Sequence, residues 1–307
     1  MISKGDKIIF GIIGAVLILI FAFWKDVQAI ALGKPGRQDI ASAQKEKTGD
    51  KKKKEASATV PSGVTIVNKW ELPNELKEVS GIAYIDEQRF ACVQDEEGKI
   101  FIFNRSTGKI ENTIAFSGAG DYEGITINDG TAYVLRADGV IYEAALNGKG
   151  TAKQYKTSLT VEHNVEGITF DKDKNRLLLA IKDDEPGTRD YKGIYAFDLS
   201  NKEMVKEPVF KIDLKNEILN RAGGKKKGKV IAPSAIAIHP RSGDIYITDG
   251  PKSRLLIMDK SGELNQFLEL GKDFAQPEGI TFGPQGEIFI SNEGTKQAGN
   301  IMQVELK

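Results

Sequence analysis

Three glutamates, Glu123, Glu166 and Glu278, each stand directly before a Gly-Ile-Thr, in the phrases YEGITI, VEGITF and PEGITF. Two further copies, EVSGIAY from Glu78 and PSAIAI from Pro233, carry Ser80 and Ser234 at that position. A second column of acids closes the next apolar run of most copies: Asp95, Asp183, Asp249 and Glu293, with Ala137 in the remaining one. Carboxylates gathered by a repeat repel one another and raise each other's pKa unless a cation stands between them. Hard oxygen donors without Cys or His favour Ca²⁺ over zinc, and a roomy ring suits calcium better than magnesium's tight octahedron. The expected side-chain ligands are Glu123, Glu166 and Glu278, with Asp95, Asp183, Asp249 and Glu293 as second choices. They cannot all reach one ion, so backbone carbonyls and water complete its sphere. A repeated acid also has a structural explanation, in which each Glu caps its own turn by accepting backbone N–H bonds. The sequence leaves both open.

Other reactive residues are few. The chain has one cysteine, Cys92, in the apolar run RFACVQ, which excludes an intrachain disulfide and a Cys-rich metal site and reads as a small buried hydrophobe. Its two histidines, His163 and His239, are too few for a His-based zinc cluster. His163 lies near the repeated acid and is a candidate general base; His239, in IAIHPRSGD, reads as a strand running into a turn.

The elements that must position these acids follow from the repeat. Ser80, Glu123, Glu166, Ser234 and Glu278 are separated by 43, 43, 68 and 44 residues. A period in the low forties, built of short strand-like runs and Gly-containing turns, predicts an all-β, five-bladed propeller of four-stranded antiparallel blades. The long interval holds one blade plus insertions, DDEPGTRDY and NRAGGKKKGKV, and helical patterning is nearly absent except around NEILNRA. The last unit ends after its third strand. VTIVNKWEL, at the start of the repeat region, is placed to supply the fourth, because Leu72 precedes Ser80 by the same eight residues that separate Leu270 from Glu278. The innermost strands would then run along one channel and bring the glutamates together at its mouth.

Charge is balanced, 43 Lys+Arg against 43 Asp+Glu, but the basic excess lies in residues 1–61 and leaves the repeats mildly acidic. No basic stripe with interleaved aromatics exists, which argues against nucleic-acid binding. Ile8–Trp24 is uncharged and apolar and ends in Phe-Trp, so residues 1–25 read as a membrane anchor, against a cleavable signal peptide. Either exports the domain, and the absence of a following cysteine excludes a lipoprotein. Residues 26–61, with the Lys51–Lys54 run, read as a flexible linker, and 62–307 as the propeller.

KEVSGIAYIDEQRFACVQDEEGKIFIF and QPEGITFGPQGEIFISNEG resemble the SdiA-regulated domain family, the YjiK-like periplasmic proteins, over residues 62 to 307. The resemblance implies a five-bladed, NHL-like propeller with a calcium site, a preceding membrane segment and no established biochemical activity. The chain departs from a uniform pattern at Ala235, which replaces the motif glycine, and at Arg136. Two functions are carried forward. One is a calcium-binding module held by a single pass to the inner membrane, with the propeller in the periplasm and a protein or small-molecule ligand at the channel mouth. The other is a calcium-dependent hydrolase of lactones or of phosphate or carboxylic esters, with an acid or His163 activating water; Lys182, Arg136 and Arg189 would form a phosphate site only if the fold brings them together.

Overall fold

The computed structural model describes residues 62–222 and 231–307. The expected anchor and linker, through residue 61, and the Lys- and Gly-rich part of the second insertion, 223–230, lie outside them. Among the described residues no helix is long and apolar enough to cross a membrane.

Strand β1 (Val64–Glu71) opens the domain and is followed by twenty more, grouped in five antiparallel sheets. The first blade is β2 (Val79–Tyr84), β3 (Arg89–Gln94), β4 (Glu97–Asn104) and β5 (Lys109–Ala119). The second is β6 (Tyr122–Asn128), β7 (Thr131–Arg136), β8 (Ile141–Ala145) and β9 (Lys153–Tyr155). In the third, β10 (Val165–Asp171), β11 (Arg176–Ile181) and β12 (Tyr191–Asp198) are flanked by β13 (Glu203–Met204) and β14 (Phe210–Asp213), which both pair with β12. This split outer edge, with the short helix α1 (Glu217–Ala222) after it, accounts for part of the long interval. The fourth blade is β15 (Pro233–Ile238), β16 (Ile245–Asp249), β17 (Arg254–Met258) and β18 (Leu264–Glu269). The fifth is β19 (Pro277–Phe282), β20 (Ile288–Asn292), β21 (Asn300–Leu306) and β1.

The ring closes as the register predicts: β1 lies antiparallel to β21, from Val64 opposite Leu306 to Glu71 opposite Asn300. The innermost strands β2, β6, β10, β15 and β19 then pack side by side around the axis. The core is five apolar wedges, one between each pair of neighbouring blades. Alternation along a strand sends side chains to both wedges. In β3, Phe90 and Cys92 enter the wedge toward the fifth blade while Ala91 and Val93 enter the wedge toward the second. Cys92 is fully buried and behaves as the small hydrophobe its context predicts.

Candidate functional site

Every innermost strand begins with the same irregularity. Val79 pairs with Gln94 and Gly81 with Val93, which leaves Ser80 unpaired as the extra residue of a β-bulge. Glu123, Glu166, Ser234 and Glu278 are skipped in the same way in the other four blades. The repeated phrase therefore encodes a bulge, and the bulge frees its side chain from the ladder at the channel mouth. The following glycine has its own cause, because the backbones of adjacent innermost strands nearly touch there. A Cβ on Gly124 would stand 2.9 Å from the carbonyl oxygen of Glu166. The two serines of the column tie blades together: Ser80 Oγ donates to the Tyr122 carbonyl (2.6 Å) and Ser234 Oγ to the Pro277 carbonyl (2.6 Å).

Glu123, Glu166 and Glu278 converge on one throat, which opens into a cavity of about 130 Å³ walled also by Asp95 and Glu293. The wall also includes Glu78, Gln276 and Lys182, which were not among the expected ligands. Asp183 and Asp249 do not line this cavity. Strand pairing gives the reason. Ala137, Lys182 and Glu293 each donate a backbone N–H to the residue two before their bulge, Asp121, Asn164 and Gln276 respectively. Lys182, not Asp183, thus shares the register of Asp95 and Glu293, and Gly250, not Asp249, takes that place in the fourth blade. Asp249 closes β16 and is fully buried, which pushes its carboxyl up to about 6 against the pull of Lys252 and Arg254.

The centre of the ring carries a side-chain cation. Lys182 Nζ stands 2.6 Å from Glu166 Oε1, which also accepts from Asn164 Nδ2 at 3.1 Å. Glu166 is 3 % exposed, and its second oxygen, Oε2, is buried with no hydrogen-bond partner. Burial raises the Glu166 carboxyl above the usual range even though Lys182 opposes it, and burial followed by the charge of Glu166 raises Glu123. Glu278 is pushed up to about 7 by burial, with Lys182 again pulling down. Burial works against the Lys182 ammonium, but Glu166, Glu278 and Glu123 outweigh it and hold it protonated. At the rim, burial and then Glu78 raise Asp95, while burial, Asp95 and Glu78 raise Glu293. Among the described residues no three Asp, Glu, Cys or His side chains stand as a ready-made metal cage.

The remaining candidates lie elsewhere. His163 Nδ1 accepts the backbone N–H of its own turn from Thr160 (3.1 Å), and the ring packs on the edge of Tyr195, outside the cavity wall. His239 caps its turn in the same manner, accepting from Ser242, between Tyr246 and Phe282. Arg136 is held by Asp138 and the Tyr142 hydroxyl, and Arg189 is exposed beside Asp184. Lys182, Arg136 and Arg189 therefore form no phosphate cluster.

With the propeller and its bulged ring described, sequence comparison decides the family. The profile of the SdiA-regulated family matches residues 56–296. The chain belongs to that family. No curated protein matches its sequence. Of solved structures, this SdiA-regulated propeller is similar to a glutaminyl cyclase of Myxococcus xanthus, with 12% identity over 80% of this chain and 96% of that one and a TM-score of 0.58. It is also similar to a Bacteroides thetaiotaomicron protein of unknown function, with 13% identity over 76% of this chain and 59% of that one and a TM-score of 0.50. A streptogramin B lyase aligns at 13% identity over 78% and 97% of the two chains, with a TM-score of 0.45. At these identities the likeness is one of fold.

Proposed function

We propose that this SdiA-regulated propeller is a calcium-binding recognition module, exported and held to the inner membrane by its N-terminal apolar segment. Glu123, Glu166 and Glu278 are the side chains that would hold the ion, and the rim with Asp95 and Glu293 is where a protein or small-molecule ligand would meet it. Asp183 and Asp249 are more distant candidates, since neither lines the cavity. The observation that carries the reading is Glu166 Oε2, a carboxylate oxygen buried without a partner at a throat that it shares with the buried Glu278 and the half-buried Glu123. A buried acceptor left unsatisfied costs about 1–3 kcal/mol, and more for a charged group, so its retention favours a cationic guest. An all-oxygen donor set fits Ca²⁺.

The test is calorimetric titration of the metal-stripped protein with CaCl₂, alongside Glu166→Gln. The expected result is uptake of one ion by the wild type, with most of the uptake lost in the variant. A folded wild type that takes up no calcium refutes the reading and leaves the bulge as the whole explanation of the acid. The calcium-dependent hydrolase has weaker support, because His163 spends its Nδ1 on a turn and, among the described residues, Lys182 alone of the Lys and Arg side chains lines the cavity. Calcium-dependent turnover of lactones, aryl esters or phosphate esters would favour it.

A further inference from the structure

The carboxylate ring already contains a cation that belongs to the chain. Lys182 leaves β11 one position after the ladder residue Ile181, where the equivalent blades carry Asp95, Ala137 and Glu293, and its ammonium reaches back to Glu166. Among the described residues it is the one Lys or Arg that walls the cavity. Its backbone is held firmly: the Lys182 N–H donates to the Asn164 carbonyl (2.9 Å), and the Lys182 carbonyl accepts from Lys192 Nζ (2.9 Å). Lys192 is itself fully buried and also bonded to Asp184 Oδ1 (2.9 Å). The root of the side chain is thereby fixed, and its four-carbon stem is the part free to swing. The Lys182 side chain is 24% exposed, so its ammonium has a route out to solvent.

We propose that Lys182 is an intramolecular competitor for the divalent ion, filling the ring in the ion-free protein and leaving Glu166 when Ca²⁺ enters, so that this one residue sets the affinity of the site. The inference rests on the calcium reading and adds its regulation. Two cations cannot share Glu166 Oε1 without repulsion at close range in a poorly hydrated site. Binding therefore includes the cost of breaking a charge-assisted contact. The ammonium is paired with Glu166 and lies within electrostatic reach of Glu278 and Glu123. A lysine suits this task better than an arginine, since a compact ammonium on a flexible stem is readily rehydrated.

The experiment compares calcium affinity of the full-length wild type, Lys182→Met and Lys182→Arg by calorimetry, using CaCl₂ as the probe. Methionine keeps an unbranched apolar stem and removes the charge, so Lys182→Met is expected to bind about ten- to hundredfold more tightly, the range for losing one charge-assisted bond. Lys182→Arg keeps the charge and is expected to stay as weak as the wild type or weaker. Equal affinity in all three proteins, or weaker binding by Lys182→Met, overturns the competitor role while leaving the calcium site standing. No uptake by any of them removes the calcium reading and this inference together. Should Lys182→Met fail to fold, ¹⁵N-lysine spectra of the wild type give the answer. A slowly exchanging Lys182 ammonium signal is expected without calcium and its loss on adding calcium, and a signal unchanged by saturating calcium overturns the proposal.

Discussion

In calcium-free buffer this propeller should lose stability as pH rises, and Glu278 shows how strongly. Its side chain is 7% exposed, and burial displaces its carboxyl from 4.5 to about 7. Between those values the native protein keeps a proton that the unfolded chain has released. The contribution is fully present below 4.5 and is lost as pH rises through about 7. At roughly 1.4 kcal/mol for each pH unit of displacement, the loss between about pH 5 and pH 8 is on the order of 2–3 kcal/mol. That is a large share of the 5–15 kcal/mol or so that holds a typical domain together. Glu278→Gln cannot ionise and should abolish this part of the slope, while the raised carboxyls of Glu123 and Glu166 leave a residual slope of the same sign. The assay is urea unfolding in calcium-free buffer at both pH values, for wild type and variant. A wild type whose urea midpoint falls no more than the variant's between the two pH values would falsify the burial argument. If the ring takes up calcium as proposed, adding the ion should shrink the wild-type slope, because a bound cation would favour the ionised carboxylates.

Ring closure predicts that a chain beginning at Asn74 melts far below one beginning at Ser62. It loses Val64 and Leu72, both buried, at about 1.5–3 kcal/mol each, and leaves the edge of β21 unpaired. Differential scanning calorimetry checks this, and equal melting temperatures would show that the fifth blade closes without β1. Gly124→Ala should cost about 1–3 kcal/mol, because its Cβ would press on the Glu166 backbone, whereas Ala235→Gly should cost under about 1 kcal/mol; thermal melts of the two variants decide it.

Much of this molecule is legible without coordinates. The recurrence of Gly-Ile after a polar residue fixes the blade count, and the matched offsets of Leu72 and Leu270 place the closing strand, because strand ladders impose a rigid period. The glutamate column is visible for the same reason, and Glu123, Glu166 and Glu278 do meet at one throat. The second column is not legible. The hairpin from the bulge to that position spans 15 residues in the first blade, 14 in the second and 16 in the third, so no fixed count from Glu166 reaches Lys182, and matching acid to acid passes over it to Asp183. A slip of one residue turns a side chain to the opposite face of its strand. It exchanges a carboxylate for an ammonium at the centre of the site. The serines at positions 80 and 234 also needed the fold, because their partners, the carbonyls of Tyr122 and Pro277, lie on neighbouring blades more than forty residues away. Local spacing determines which residues occupy equivalent places; only the packing of blade against blade determines which of them are buried, paired or left with an empty oxygen.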